Sequence, residues 1–241
     1  MFGWRARLGL MIPTNNTVIE PELALLTPSG VALYTTRMIS SRSGYASVSG
    51  LQHIVSNVER ATEELSITGV NAFLYGCLST SFVHPDWEAS YASHIRKRSK
   101  SPAITAMSAT ISAIRSFNTD DIALLCSYES EMLRLGLNRF AADKINVVSV
   151  HSLGISNFST LSNITNIDIY RSARSMDLKE AKMLCILATD IPSVKIINTL
   201  EKDLGIPVIS TNQSLLWNVL NELKINVNNK DFGSLFDRKI I

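Results

Sequence analysis

Short apolar runs recur along the chain, each followed by a small polar cluster and then by a longer amphipathic stretch. The runs at 7–13, 31–38, 70–77, 103–107, 121–127, 145–151, 182–189 and 206–210 lack strict alternation, which predicts strands buried on both faces of parallel sheets. Helices are predicted over 48–66, 86–98, 108–117, 129–142, 176–181, 191–204 and 212–223. Right-handed crossovers between parallel strands place such helices on both faces of a sheet. For residues 156–175, SNFSTLSNITNIDIYRSARS, periodicity leaves an irregular loop and short helices equally open.

The order of elements nearly repeats. A strand running into a polar elbow occurs at 7–17, 72–81, 122–130 and 182–193. AITAMSATISAI (103–114) and PVISTNQSLLWNVL (207–220) share one plan: strand, hydroxyl or amide cap, helix. Two similar α/β lobes follow, 1–115 and 116–218, with a tail over 219–241 expected to pack back on the first lobe. In sheets of this kind ligands sit at the carboxyl ends of the strands, near helix N-termini. Two facing lobes would place that crevice between them.

Composition narrows the classes. A hydrophobic content of 46% is ordinary for a soluble α/β protein, and no apolar stretch reaches the length of a membrane span. Net charge is +2, and the one basic run, IRKRSK at 95–100, lies on an expected helix end without aromatic interleaving. Neither nucleic acid nor membrane is therefore an expected partner. Cys77, Cys126 and Cys185 are odd in number and far apart, and the four histidines are isolated. This argues against a disulfide framework and a zinc site, and points to a reduced, cytoplasmic location.

The elbows carry the candidate chemistry. They read Pro13-Thr14-Asn15-Asn16-Thr17, Gly76-Cys77-Leu78-Ser79-Thr80-Ser81, Ser127-Tyr128 and Ala188-Thr189-Asp190. Unpaired backbone N–H groups at such strand-to-helix turns can hold a carboxylate. Neither GxGxxG nor GxxxxGK[ST] occurs, so the expected anion is small and no nucleotide is implied. Against this stands the plainer reading that Ser, Thr and Asn are helix caps and that a strand cysteine is buried and inert.

GLMIPTNNTVIEPEL and YGCLSTSF resemble the signature stretches of the maleate cis-trans isomerases, which belong with the arylmalonate decarboxylases in the aspartate/glutamate racemase superfamily. The likeness continues in order through TAMSATISAI, IALLCSYESEM, SLGIS and LEKDLGIPVISTNQSLLW. The resemblance implies an α/β fold of two pseudo-symmetric Rossmann-like (flavodoxin-like) lobes, each with a mostly parallel sheet, and a cofactor-free active site in the cleft between them. It matches Cys77 to the first-lobe reactive cysteine of the isomerases, a position where the decarboxylases carry glycine. Asn16 matches an elbow asparagine, and Tyr128 a tyrosine that contacts substrate. Ser79 and the backbone around Leu78 match a carboxylate-holding loop, and Asn157 a polar substrate contact. Apolar helices and the resemblance together suggest a homodimer.

One position departs from the pattern. Ala188 stands where the second-lobe cysteine is expected, and Cys185, three residues earlier on a strand, points to the opposite face. One thiol suffices for addition to the alkene of a small dicarboxylate such as maleate, rotation about the resulting single bond, and expulsion to fumarate, with Thr189, Tyr128 or water assisting. A thiolate favoured at a helix N-terminus suits that role. The alternatives are a malonate-type decarboxylase using Cys77 as sole proton donor, another carboxylate isomerase or lyase, and a non-catalytic carboxylate-binding protein.

Overall fold

The computed structural model describes residues 2–39, 48–84, 86–155, 157–178, 180–227 and 230–240. Its strands form two four-stranded sheets. β1 (Ala6–Pro13), β2 (Val31–Met38), β3 (Ala72–Tyr75) and β4 (Ala103–Thr105) lie in the order β2-β1-β3-β4, every pair parallel. β5 (Asp121–Cys126), β6 (Asn146–Ser152), β7 (Met183–Leu187) and β8 (Val208–Ser210) lie in the order β6-β5-β7-β8, again parallel. The second sheet repeats the strand order of the first. Each of the eight apolar runs is a strand, because runs such as Leu8–Ile12 and Ile122–Cys126 have helices on both faces and need no polar side.

The repeat fixes where a site can form. In each sheet the winding reverses between the first and third strands, the switch point at which α/β sheets open a crevice at their carboxyl ends. All four polar elbows leave the strands that flank these two points: β1 and β3 in one lobe, β5 and β7 in the other.

The connecting helices are α1 (Ile19–Leu26), α2 (Val48–Ser56), α3 (Val58–Ile67), α4 (Thr80–Val83), α5 (Trp87–Ser99), α6 (Ala106–Arg115), α7 (Ser130–Ala142), α8 (Phe158–Leu161), α9 (Asn166–Ser175), α10 (Ile197–Leu204) and α11 (Thr211–Glu222). Several differ from the pattern-based expectation. α1 is new: Pro21 sits in its first turn, where a missing N–H costs nothing, and its two turns are too few to show a period. The helix expected over 48–66 is broken at Asn57, whose side chain bonds back to the His53 carbonyl at 2.9 Å. The helix expected over 176–181 lies upstream instead, as α9, capped by the reciprocal Thr165–Asp168 box. Residues 191–196, expected in a helix, form turns before α10 because their N–H groups are used elsewhere, as described next.

Two of the contacts that join the lobes set the seam. α6 and α11, equivalent helices capped by equivalent boxes (Thr105 with Ser108, Ser210 with Gln213), pack against each other at the seam. α11 is consequently buried along Thr211–Leu220, amides and hydroxyls included. The second contact is Glu22 of α1. Its buried carboxylate accepts the backbone N–H of Ser193 and that of Val194 (2.9 Å), together with the Asn212 amide (2.8 Å) and the Ser193 hydroxyl (3.5 Å). Burial raises the Glu22 carboxyl above its ordinary pKa, and these hydrogen bonds act in the opposite sense. Across the same seam α7 comes close to α4: a Cβ on Gly136 would stand 3.1 Å from the Phe82 ring, so the absence of a side chain there lets the helices meet.

The closing segment touches both lobes. Gln213 donates to the Phe232 carbonyl (2.6 Å), Trp217 to that of Arg238 (3.2 Å), and Ser234 donates to Glu201 (2.6 Å from its hydroxyl), while Arg5 reaches Asn226 (3.3 Å). Among the described residues, no helix is long and apolar enough to cross a membrane.

Glu22→Ala removes the acceptor for two buried backbone N–H groups and an amide. It is expected to lower unfolding free energy by about 3 kcal/mol or more in urea titrations. An effect under about 0.5 kcal/mol would show that the clamp is not a principal tie.

Candidate active site

Cys77 leaves β3 through Gly76, whose missing side chain is required locally: a Cβ there would lie 2.7 Å from Ile19 Cδ1. The thiol is buried, with 4% of the residue exposed. Thr80 donates its hydroxyl to Cys77 Sγ at 3.3 Å, and the Ser79 Oγ stands 3.7 Å from the sulfur. Thr80 Oγ1 also lies 3.1 Å from the Tyr75 hydroxyl, so a buried hydroxyl network runs from the strand to the sulfur. Leu78 is buried beside it. Ser81 Oγ, in the same elbow, is buried with no hydrogen-bond partner.

Burial dominates the electrostatics of this thiol. It pushes the Cys77 pKa up, against the hydroxyls of Thr80 and Ser79 and the Thr80 N–H, which pull it down, and the charge of Asp190 adds to the rise. The expected helix-terminus activation is therefore not what the structure provides: α4 has only four residues, and Cys77 rests as a neutral thiol at neutral pH. Cys126 and Cys185 are buried too, with pKa values raised by burial, that of Cys126 to about 11. Both lie inside strands, as inert cysteines do.

The second-lobe elbow closes over the first. Asn16 uses its amide oxygen to accept the N–H groups of Val18 (3.0 Å) and Ile19 (3.1 Å), which seats the start of α1. Its amide nitrogen donates across the seam to both the carbonyl and the hydroxyl of Thr189, each at 3.1 Å. Asn212 donates to the same Thr189 carbonyl at 3.1 Å, which connects this elbow to the Glu22 clamp. Ala188 is buried at the end of β7. Tyr128 follows β5, and its ring meets Phe82 of α4 edge-on at 5.5 Å.

Two contacts bring sequence-derived candidates of the two lobes together at the seam: Asn16 meets Thr189, beside the buried Ala188, and Phe82, in the helix that follows Cys77, Leu78 and Ser79, meets Tyr128. Asn157 differs. It is exposed, and its amide oxygen accepts the Thr160 N–H at 2.9 Å, the work of a helix cap.

Asp190, which closes the Ala188-Thr189-Asp190 elbow, carries a feature that the order of residues does not single out. The residue as a whole is partly exposed, yet its Oδ1 is sealed from solvent without any hydrogen-bond donor. Burial raises its pKa to about 6, opposed only by its own backbone N–H. A buried carboxylate so poorly compensated is uncommon away from functional sites. The one signal available in the sequence was an acid following a strand end inside an apolar frame, ILATDIP. Among the described residues no cluster of His, Cys, Asp or Glu is placed to hold a metal ion.

Two parallel sheets of one strand order, with a buried thiol at the switch point of the first and, at that of the second, a partly exposed acid whose Oδ1 is sealed, define a two-lobed α/β protein with its candidate site at the seam. The arylmalonate decarboxylase family model matches residues 8–236, and the chain belongs to that family. It is 24% identical over 229 residues to a maleate isomerase of Nocardia farcinica, covering 92% of this chain and 91% of the relative. It superposes with a TM-score of 0.87 on the maleate isomerase Iso of Pseudomonas putida crystallised with maleate, at 21% identity over 96% of this chain and 97% of the other. A mutant of the Nocardia farcinica maleate cis-trans isomerase bearing a covalently bound succinylcysteine intermediate also superposes at 0.87, at 23% identity over 96% and 98% of the two chains.

The raised Asp190 pKa has a consequence for stability. A carboxyl that binds its proton more tightly when folded stabilises the protein below the unfolded value near 3.8, and that stabilisation is lost as pH rises through about 6. Asp190→Asn does not titrate, so its stability relative to wild type should rise by about 2–3 kcal/mol between pH ~4 and pH ~7.5. Urea denaturation at the two pH values measures the difference. A constant offset would refute the burial of this charge.

Proposed function

We propose that the protein is a cofactor-independent cis-trans isomerase of a small dicarboxylate, of the maleate-to-fumarate type, working by nucleophilic addition of Cys77. The carrying observation is the buried Cys77 thiol beside the hydroxyls of Thr80 and Ser79, with the second-lobe elbow tied to the first lobe through Asn16 and Thr189. The similarity to maleate isomerases along nearly the whole chain supports the same reading.

In this mechanism the Cys77 thiolate forms a bond to one alkene carbon, and the displaced π electrons spread onto the neighbouring carboxylate. The former double bond then rotates as a single bond, and expulsion of the thiolate leaves the trans isomer. Hydrogen bonds to sulfur from Thr80 and Ser79 stabilise the thiolate on departure. Leu78 and Ala188 supply apolar walls that keep the adduct from water, and Asn16 and Ser79 are the donors proposed for the substrate carboxylates. Three unpaired cysteines accord with a reduced, cytoplasmic setting.

A second reading rests on Ala188. With no second thiol, a malonate-type diacid could lose carbon dioxide and take a proton from Cys77, whose raised pKa suits a proton donor. Proton NMR after incubation with maleate and with phenylmalonate separates the two. Fumarate is expected from wild type, and Cys77→Ser should lower its formation at least about a thousandfold. Phenylacetate without fumarate would replace the first reading by the second. Neither product would overturn both.

A further inference from the structure

Thiolate addition to an alkene dicarboxylate leaves an electron pair beside the new C–S bond. That pair is held either as an enediolate or, once a proton arrives, as a C–H bond. A proton donor that can also take a proton from that carbon afterwards makes the adduct a true single-bonded intermediate, free to rotate. Cys77 is occupied by the C–S bond, so the donor must come from elsewhere, and Ala188 has no proton to give.

We propose that Asp190 is the second acid–base group of this site, giving a proton to the substrate carbon adjacent to the one held by Cys77 and, after rotation, taking from that carbon its other hydrogen as a proton. This assignment rests on the isomerase reading above. Three observations converge on it. Asp190 lies two residues beyond Ala188, in the elbow that Asn16 and Asn212 fix through Thr189. Its Oδ1 is sealed from solvent and accepts no hydrogen bond, so an acceptor position is kept without a structural employer. It is in the second lobe, and its charge adds, as the smallest contribution, to the raised pKa of Cys77 in the first.

The groups around the pair are few. Cys77 has Tyr75 beneath it on β3, whose hydroxyl pKa is driven well up by burial and by the thiol, leaving it neutral. Thr189, Asn16 and Asn212 beside Asp190 carry no charge, and Glu22 stands one hydrogen bond further on, behind Asn212. With the Cys77 pKa raised and that of Asp190 about 6, the pair holds one proton at neutral pH, on sulfur.

The steps balance. The proton passes from sulfur to the Asp190 carboxylate as the S–C bond forms and the π bond breaks. The Asp190 proton then goes to the adjacent carbon, giving a thioether joined by a C–C single bond. After rotation the Asp190 carboxylate takes the other hydrogen of that carbon as a proton, the alkene re-forms, and the C–S bond breaks. The thiolate regains its proton from Asp190, and nothing is oxidised or reduced.

Asp190→Asn and Asp190→Ala test the assignment, the pair guarding against one misfitting side chain. Maleate turnover followed by proton NMR is expected to fall about a hundredfold or more in both. Alkylation of Cys77 by iodoacetamide, read by peptide mass spectrometry from about pH 7 to about pH 10, gives a second readout. Removing a neighbouring negative charge eases thiol ionisation, so the midpoint should move to lower pH by about half a unit or more. Turnover within about threefold of wild type, or an unmoved midpoint, would overturn the role of Asp190 and leave addition by Cys77 standing. Absence of fumarate from the wild-type protein would instead overturn the isomerase reading, and this assignment with it.

Discussion

The seam between the two lobes turns on one buried carboxylate, that of Glu22. Glu22 gathers two backbone N–H groups, an amide and a hydroxyl from the other lobe, and the strand-like turn 191–196 exists because its donors are spent there. Asn212 binds Glu22 on one side and Thr189 on the other, so the clamp and the second-lobe elbow are parts of one hydrogen-bonded chain. Asn16 ties the far end of that chain to the start of α1, the helix that carries Glu22 itself. The result is a closed circuit of polar contacts in which the two switch points hold each other in place. Such circuits are costly when incomplete and specific when complete.

The strands were legible because a strand buried on both faces writes itself as a plain apolar run, as β1, β3, β5 and β7 do, while the edge strands β2 and β6 are only partly buried. Helices were less so. The pattern over 48–66 is continuous, and only the side chain of Asn57 turning back to His53 breaks it. The start of α10 could not be read locally, since the partner that holds 191–196 out of a helix lies in α1, far away in sequence. Within the site, it is the family resemblance that singles out Cys77 and Ser79, since type and spacing alone read equally as an inert strand cysteine and helix caps. Asp190 does not stand out, because an aspartate after a threonine at a strand end is ordinarily a solvated turn residue. What distinguishes it is the lack of any donor around Oδ1, a property of the packing and invisible in the order of residues.

The two lobes spend their polar groups differently. The first surrounds its thiol with hydroxyls that bond both to it and to one another, from Tyr75 through Thr80 to the sulfur. The second presents an alanine and an acid compensated only by its own backbone N–H, which costs stability whenever the acid is ionised. Stored cost of this kind is found where a group must stay reactive rather than be satisfied. A symmetric fold has thus been given an asymmetric interior.

The burial of Cys77 reaches beyond the site's own chemistry. Oxidants attack thiolates and pass over neutral thiols, and they must also reach the sulfur. A sulfur with almost no exposed surface, protonated at rest and beside a negative charge, meets neither condition. The same low-dielectric packing that delays the ionisation of Cys77 is therefore expected to slow its conversion to sulfenic acid by peroxide.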